Sequence, residues 1–170
     1  MPFPFLPTWT AADVTGISAE FLQGQGISLL MLDFDNTIVP YTTNIPTKEV
    51  ENWLMAMKRS GLSVCIVSNS RKSRVPEFCK AYGLDCITHA RKPFSKGIRQ
   101  CLQRYGIIAE ASVLVGDQIY TDTLGGNCAG VRTVLVRSIH NHNIWLKLRH
   151  IAELPFIFAA KKRRISHEKH

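Results

Sequence analysis

Met31-Leu-Asp-Phe-Asp-Asn-Thr-Ile-Val39 is the stretch from which the fold can be read. Ile27, Leu29 and Leu30 precede it, so the apolar run reaching Leu32 shows no polar alternation. A strand loses that alternation when both faces of its sheet are covered, as in the parallel sheet of an α/β protein. Asp33 and Asp35 then fall at the carboxyl end of the strand. Two carboxylates one residue apart resist joint ionisation unless a proton or a cation compensates them. In open α/β sheets the crevice outside the strand carboxyl ends is the usual ligand site, and a divalent cation with oxygen ligands would offset the repulsion. A negatively charged turn opening a loop is the plainer reading of the same residues.

Outward from this strand the same pattern repeats. Upstream, Pro2, Pro4 and Pro7 punctuate Phe3, Phe5, Leu6 and Trp9, which predicts an extended arm over residues 1–14, packed on the domain by its apolar side chains. Ile17 to Gln25 reads as a short helix. Downstream, Pro40 to Pro46 form a loop, Thr47 caps a helix, and Val50, Trp53, Leu54 and Met57 give it one apolar face. Leu62 to Val67 is a second buried strand, ending in Ser68-Asn69-Ser70. A helix carrying Val75, Phe78, Cys79 and Tyr82 follows, with Pro76 tolerated in its first turn. Residues 84–88 hold a short strand, Gly97 to Tyr105 a helix, Ala111 to Val115 a strand, Leu124 to Ala129 a short helix and Val131 to Val136 a last strand. Strands alternating with helical crossovers predict a doubly wound, mostly parallel, Rossmann-like α/β sheet, with a core over residues 15–140. Residues 141–170 are expected to add a helix over Asn143 to Glu153 and a basic tail, packed on or appended to that core.

Composition bounds the function. In 170 residues, 45% hydrophobic and 20% charged, there is room for one domain with a sizeable core. Of the net charge of +8, most sits between Arg137 and His170, where eight Lys or Arg residues face two Glu. Such a tail either solubilises the chain or approaches phosphate-bearing surfaces, lipid or nucleic acid, and charge alone does not choose. Five scattered cysteines without a C-x-x-C pair indicate reduced thiols and a cytoplasmic location. No secretory signal is expected, and Leu154 to Ala160 is too short to span a bilayer. His89, His140 and His142 lack zinc-ligand spacing, Gly125-Gly126 is no dinucleotide loop, Trp53 and Trp145 read as packing residues, and no dedicated nucleic-acid module is visible.

Four strand ends carry polar residues: Asp33 and Asp35, Ser68 and Asn69, Lys92, and Asp117 with Asp122. A parallel sheet can bring all four to one rim. Together they suit phosphoryl transfer, in which one carboxylate attacks, another moves a proton, and hydroxyl and cationic groups hold the phosphate oxygens. Arg91 and Lys96 compete with Lys92 on residue type alone.

These motifs, in order, resemble the haloacid-dehalogenase-like (HAD-like) phosphatases. Asp33-Phe-Asp35-Asn-Thr37 matches their D-x-D-x-T signature, Ser68 their second motif, Lys92 their third, and Gly116-Asp117 with Asp122 their fourth. The Ser-Asn-Ser segment, Lys92-Pro93 and Gly116-Asp-Gln-Ile-Tyr-Thr-Asp122 are similar to the YqeG subgroup and related mitochondrial phosphatidylglycerophosphatases. The resemblance covers residues 15 to 140. It implies Asp33 as nucleophile forming an aspartyl-phosphate, Asp35 as acid and base, and a Mg²⁺ held by Asp33, the Asp35 backbone carbonyl and Asp117. Asp122 would be a direct ligand or a support for one. Ser68, Asn69 and Lys92 would bind phosphate; Thr37 would orient Asp35 or phosphate, or simply close the turn.

Roughly thirty residues separate Asp35 from Ser68, and a shorter interval separates Ser68 from Lys92. Each is used by one helix and its flanks, which leaves little or no cap. An open site admits a phosphorylated small molecule or a lipid headgroup, and the apolar and basic tail tilts the choice toward an anionic membrane surface, the inner face for a cytoplasmic protein. The expected function is Mg²⁺-dependent phosphomonoester hydrolysis, with phosphatidylglycerophosphate as candidate substrate. The alternatives are a broad soluble phosphosugar or protein phosphatase, and a noncatalytic phosphate- or RNA-binding scaffold.

Overall fold

The structure is a computed structural model that describes residues 4–139. Its centre is a six-stranded sheet: β1 (Trp9–Thr10), β2 (Leu29–Leu32), β3 (Ser63–Val67), β4 (Asp85–Ile87), β5 (Ser112–Gly116) and β6 (Arg132–Leu135). The spatial order is β1-β6-β5-β2-β3-β4, and every pairing is parallel. The chain leaves β2 toward β3 and β4, then crosses back to β5 on the other flank of β2. The carboxyl end of β2 is therefore where the winding reverses, the usual crevice of such sheets.

Both faces of β2 are sealed, and this accounts for its unbroken apolar run. Leu30 and Leu32 join Val64, Ile66, Val113 and Val115 in one core, while Leu29 and Met31 join Cys65, Val67 and Leu114 in the other. Each fully buried aliphatic side chain contributes about 1.5–3 kcal/mol relative to exposure. The first core is closed by α2 (Lys48–Arg59) through Trp53, Leu54 and Met57, and by α3 (Arg74–Tyr82) through Val75 and Phe78. The second is closed by α4 (Lys96–Tyr105) through Ile98 and Cys101. Short α1 (Ala19–Gly24) precedes β2, and α5 (Leu124–Cys128) precedes β6.

Local chemistry sets the helix limits. Thr47 Oγ1 accepts from the Val50 N–H at 3.4 Å, acids occupy the first turn of α2 and Lys58 and Arg59 its last, in accord with the helix dipole. Pro76 lies in the first turn of α3, where its missing N–H costs nothing. Each β-to-β crossover from β2 to β5 carries one helix, so no cap domain interrupts the core.

Two features depart from the expected pattern. In the segment read as an extended arm, Trp9 and Thr10 pair with Val134 and Leu135 as an edge strand. Two residues are too few to display alternation, and Thr8 and Thr133 secure the pairing by exchanging backbone-to-hydroxyl hydrogen bonds of 3.2 and 3.1 Å. After β5, the loop expected around Asp122 is a wide π turn, Ile119–Thr123, in which the Thr123 N–H reaches back to the Gln118 carbonyl at 3.2 Å. The helix and basic run expected within residues 141–170 lie outside the described residues, as do His140, His142 and Trp145.

Candidate active site

Asp33 stands one residue beyond β2, and its N–H still donates to the Val115 carbonyl at 2.8 Å. The central sheet thus fixes its backbone, and the residue is buried. Asn36 then turns the chain with φ of 60°, a conformation Asn tolerates because its side chain bonds locally. Its Oδ1 accepts from the Tyr41 N–H at 3.1 Å.

Lys92 enters from the loop after β4 and is buried. Its Nζ lies 2.6 Å from Asp33 Oδ1 and 2.7 Å from Asp122 Oδ1, so one ammonium bridges acids from two strand ends. Burial alone would lower the lysine's proton affinity, but Asp122 and Asp33 outweigh it and raise the pKa. Asn69 braces this loop: its Nδ2 donates to the Lys92 carbonyl at 2.9 Å and its Oδ1 accepts from the Lys92 N–H at 2.7 Å. Neither Arg91, which is exposed, nor Lys96, at the start of α4, is buried at this position.

Asp122 owes its position to Gly116. A Cβ on Gly116 would come within 2.3 Å of the Asp122 Cγ, so only glycine leaves room for the carboxyl group. Asp122 Oδ2 accepts from the Gln118 N–H at 3.1 Å; Oδ1 has the Lys92 charge beside it but no aligned hydrogen bond. Thr37 donates to Asp117 Oδ1 at 3.4 Å, and Ser138 donates to the same carboxyl group. Burial, then Asp33 and Asp122, push Asp117 up to about 8. Burial pushes Asp122 up to about 6 against the pull of Lys92.

Carboxylate oxygens of Asp33, Asp117 and Asp122 lie within 4.8 Å of one another. Three hard oxygen donors, two of them with raised proton affinity and one with an oxygen lacking an aligned donor, fit a divalent cation. The Asp35 carboxylate is not part of this trio and is the more exposed acid of the D-x-D pair. Its pKa is raised by burial and by Asp33, with Arg74 opposing. Ser68, one residue past β3, is buried; its N–H donates to the Ile87 carbonyl at 2.9 Å and its Oγ accepts from the Ser70 N–H at 3.0 Å.

Arg74 was not among the expected site residues. It is buried in the first turn of α3, with Nη1 2.9 Å from Asp35 Oδ1. A signal existed: a cation at a helix amino terminus opposes the helix dipole and asks for another partner. His89, by contrast, is exposed, and its ring meets Thr88.

Residues 89–148 match the family model described as "HAD-hyrolase-like". The chain is 35% identical over 132 residues to "Probable phosphatase YqeG" of Bacillus subtilis (strain 168), an alignment covering 78% of this chain and 77% of that protein. The fold is similar to that of an uncharacterized protein from Listeria monocytogenes serotype 4b, with TM-score 0.56 at 16% identity over 78% of this chain and 99% of the other. It is also similar to the cobalt-bound form of deoxy-D-mannose-octulosonate 8-phosphate phosphatase from Haemophilus influenzae, with TM-score 0.54 at 10% identity over 82% of this chain and 92% of the other. With its motifs on one rim of a capless parallel sheet, the chain belongs to the HAD-like phosphatases, in the group that contains YqeG.

Proposed function

We propose that the chain is a Mg²⁺-dependent phosphomonoester hydrolase that works through an aspartyl-phosphate on Asp33. The observation that carries this reading is the Lys92 bridge. Its ammonium holds Asp33 beside Asp122 at the reversal of the sheet, with Asp117 completing a trio of oxygen donors. A carboxylate so placed meets an incoming phosphorus atom in a cationic surround, which stabilises charge developing on the equatorial oxygens. Asp33, Asp117, Asp122 and the Asp35 backbone carbonyl would hold the ion, which when bound neutralises phosphate charge.

The chain's own residues then divide the work. An Asp33 carboxylate oxygen bonds to phosphorus as the phosphorus–oxygen bond to the leaving group breaks. Asp35, whose proton affinity is raised by burial against the pull of Arg74, gives its proton to the departing oxygen. The resulting Asp35 carboxylate takes a proton from water as that water attacks phosphorus, releasing inorganic phosphate and restoring Asp33. Ser68 and Lys92 face the phosphate oxygens; Thr37 steadies Asp117, and Asn69 holds the Lys92 loop.

A phosphorylated headgroup such as phosphatidylglycerophosphate suits this site because the loop next to Asp35 displays Tyr41 and Ile45, 55% and 75% exposed. Among the described residues no helix is long and apolar enough to cross a membrane. A phosphate-release screen with Mg²⁺ over phosphatidylglycerophosphate, phosphosugars, nucleotides and phosphopeptides tests both chemistry and substrate. Asp33→Asn should abolish release, and normal turnover by that variant would sink the mechanism. Equal failure of the full chain and a truncation after Leu154 to bind anionic vesicles would remove the lipid interface.

A further inference from the structure

We infer that Arg74 is a positioning residue that fastens the loop after the first catalytic strand to Asp35, and so aims the proton donor at the leaving group. The inference rests on the acid role proposed for Asp35. The guanidinium has five N–H donors in a rigid fork. Nε donates to Asn44 Oδ1 at 2.7 Å, Nη1 to the Tyr41 carbonyl at 2.6 Å, and Nη2 to the carbonyls of Pro40, at 3.1 Å, and Thr43. What remains is the charge contact from Nη1 to Asp35 Oδ1 at 2.9 Å, which is not aligned as a hydrogen bond.

The aligned bonds thus go to the loop and the unaligned contact goes to the acid. Phe34, between Asp33 and Asp35, lies 5.1 Å from the guanidinium carbon, and Tyr41 lies 5.7 Å from it, so the cation rests against rings from both segments it joins. Phe34 packs edge-on against Phe78 of α3 at 5.1 Å, which fixes the platform to the helix that carries Arg74. A contact held this way steers the Asp35 carboxyl group without sealing its oxygen in a hydrogen bond, leaving that oxygen free to meet the leaving group. Lysine has one ammonium and cannot reproduce a fork that spans loop and acid.

The test compares leaving groups. Protonation matters for an alkoxide and hardly for dinitrophenolate. We therefore compare wild type, Arg74→Gln, Arg74→Lys, Asp35→Asn and the double variant Arg74→Gln/Asp35→Asn on 2,4-dinitrophenyl phosphate and on the best alkyl phosphomonoester from the release screen. Arg74→Gln should lower kcat/KM for the alkyl substrate at least about tenfold more than for the aryl one, within the range general acid catalysis spans. In the Asp35→Asn background the same change should add less than about a twofold loss, because two residues acting through one group are not additive. A purely structural arginine would depress both substrates alike and multiply with Asp35→Asn, and either result overturns the inference. Should Arg74→Gln not fold, Arg74→Lys carries the same comparison. If Asp35→Asn itself shows no leaving-group bias, the acid assignment falls and the inference with it; if Asp35→Asn shows the bias and both Arg74 variants do not, the inference alone falls.

Discussion

At the scale of single residues, the site depends on one cation and one missing side chain. Lys92→Met removes the charge between Asp33 and Asp122 and leaves two buried acids facing each other. We expect kcat/KM to fall roughly 10²–10³-fold, as when a preorganised electrostatic donor is lost. Breaking a buried pair costs about 3 kcal/mol, so the denaturation midpoint should fall as well; an unchanged rate would refute the role given to Lys92. Gly116→Ala puts a methyl where the Asp122 carboxyl stands. It should cost about 1–3 kcal/mol by overpacking and reduce divalent-ion affinity, read by calorimetric titration, while the sheet survives. The acids stood out at strand ends by residue type, whereas Lys92 was singled out from Arg91 and Lys96 only by the resemblance to the HAD-like phosphatases; its ammonium lies between Asp33 and Asp122. Arg74 was not legible, since it lies in a helix turn where spacing marks only Val75, Phe78 and Cys79 as core, and its partners come from a loop some thirty residues upstream.

At the scale of elements, the apolar runs at β2, β3 and β5 announced their burial, and the helix faces followed from spacing. Sequence and structure part where an element is short or irregular. The two-residue β1 has no room for a period, and the π turn at Ile119–Thr123 differs from a helix by one hydrogen-bond step, whereas the short strand read over residues 84–88 is found as β4. Asp122, in that turn, lies over Gly116, and such single-turn π segments are frequent at functional sites. Helix ends obey simpler rules. Gly106 closes α4 with φ of 63° and has open space where a Cβ would stand. Gly106→Ala should therefore cost roughly 1 kcal/mol from left-handed backbone strain alone, measured by urea denaturation, with kcat unaltered because the last residue of α4, Tyr105, bonds to Val64 and Asp85 at the amino ends of β3 and β4, opposite the site.

For the whole molecule, the acidic trio ties stability to pH and to metal. Asp117 moves from 3.8 to about 8 on folding, so in that window the metal-free folded state binds more protons than the unfolded chain. Stability of the metal-free protein should then fall as pH rises through the window. On the proposed function only the ionised folded site would bind magnesium, which should then raise the thermal midpoint more at about pH 8 than at about pH 5. A midpoint shift equal at both values would argue against these acids as ligands. The edge pairing of β1 with β6 carries a different consequence. Thr8 meets Thr133, 125 positions later, and Asn127 Nδ2 holds the carbonyls of Pro4 and Leu6 at 2.7 and 2.9 Å. A ribosome makes the arm first, yet its sheet partner emerges on the order of ten seconds later at ordinary elongation rates. The nascent arm, with its prolines and aromatic rings, waits unpaired throughout that interval, and the sheet cannot gain its edge strand until β6 has been made.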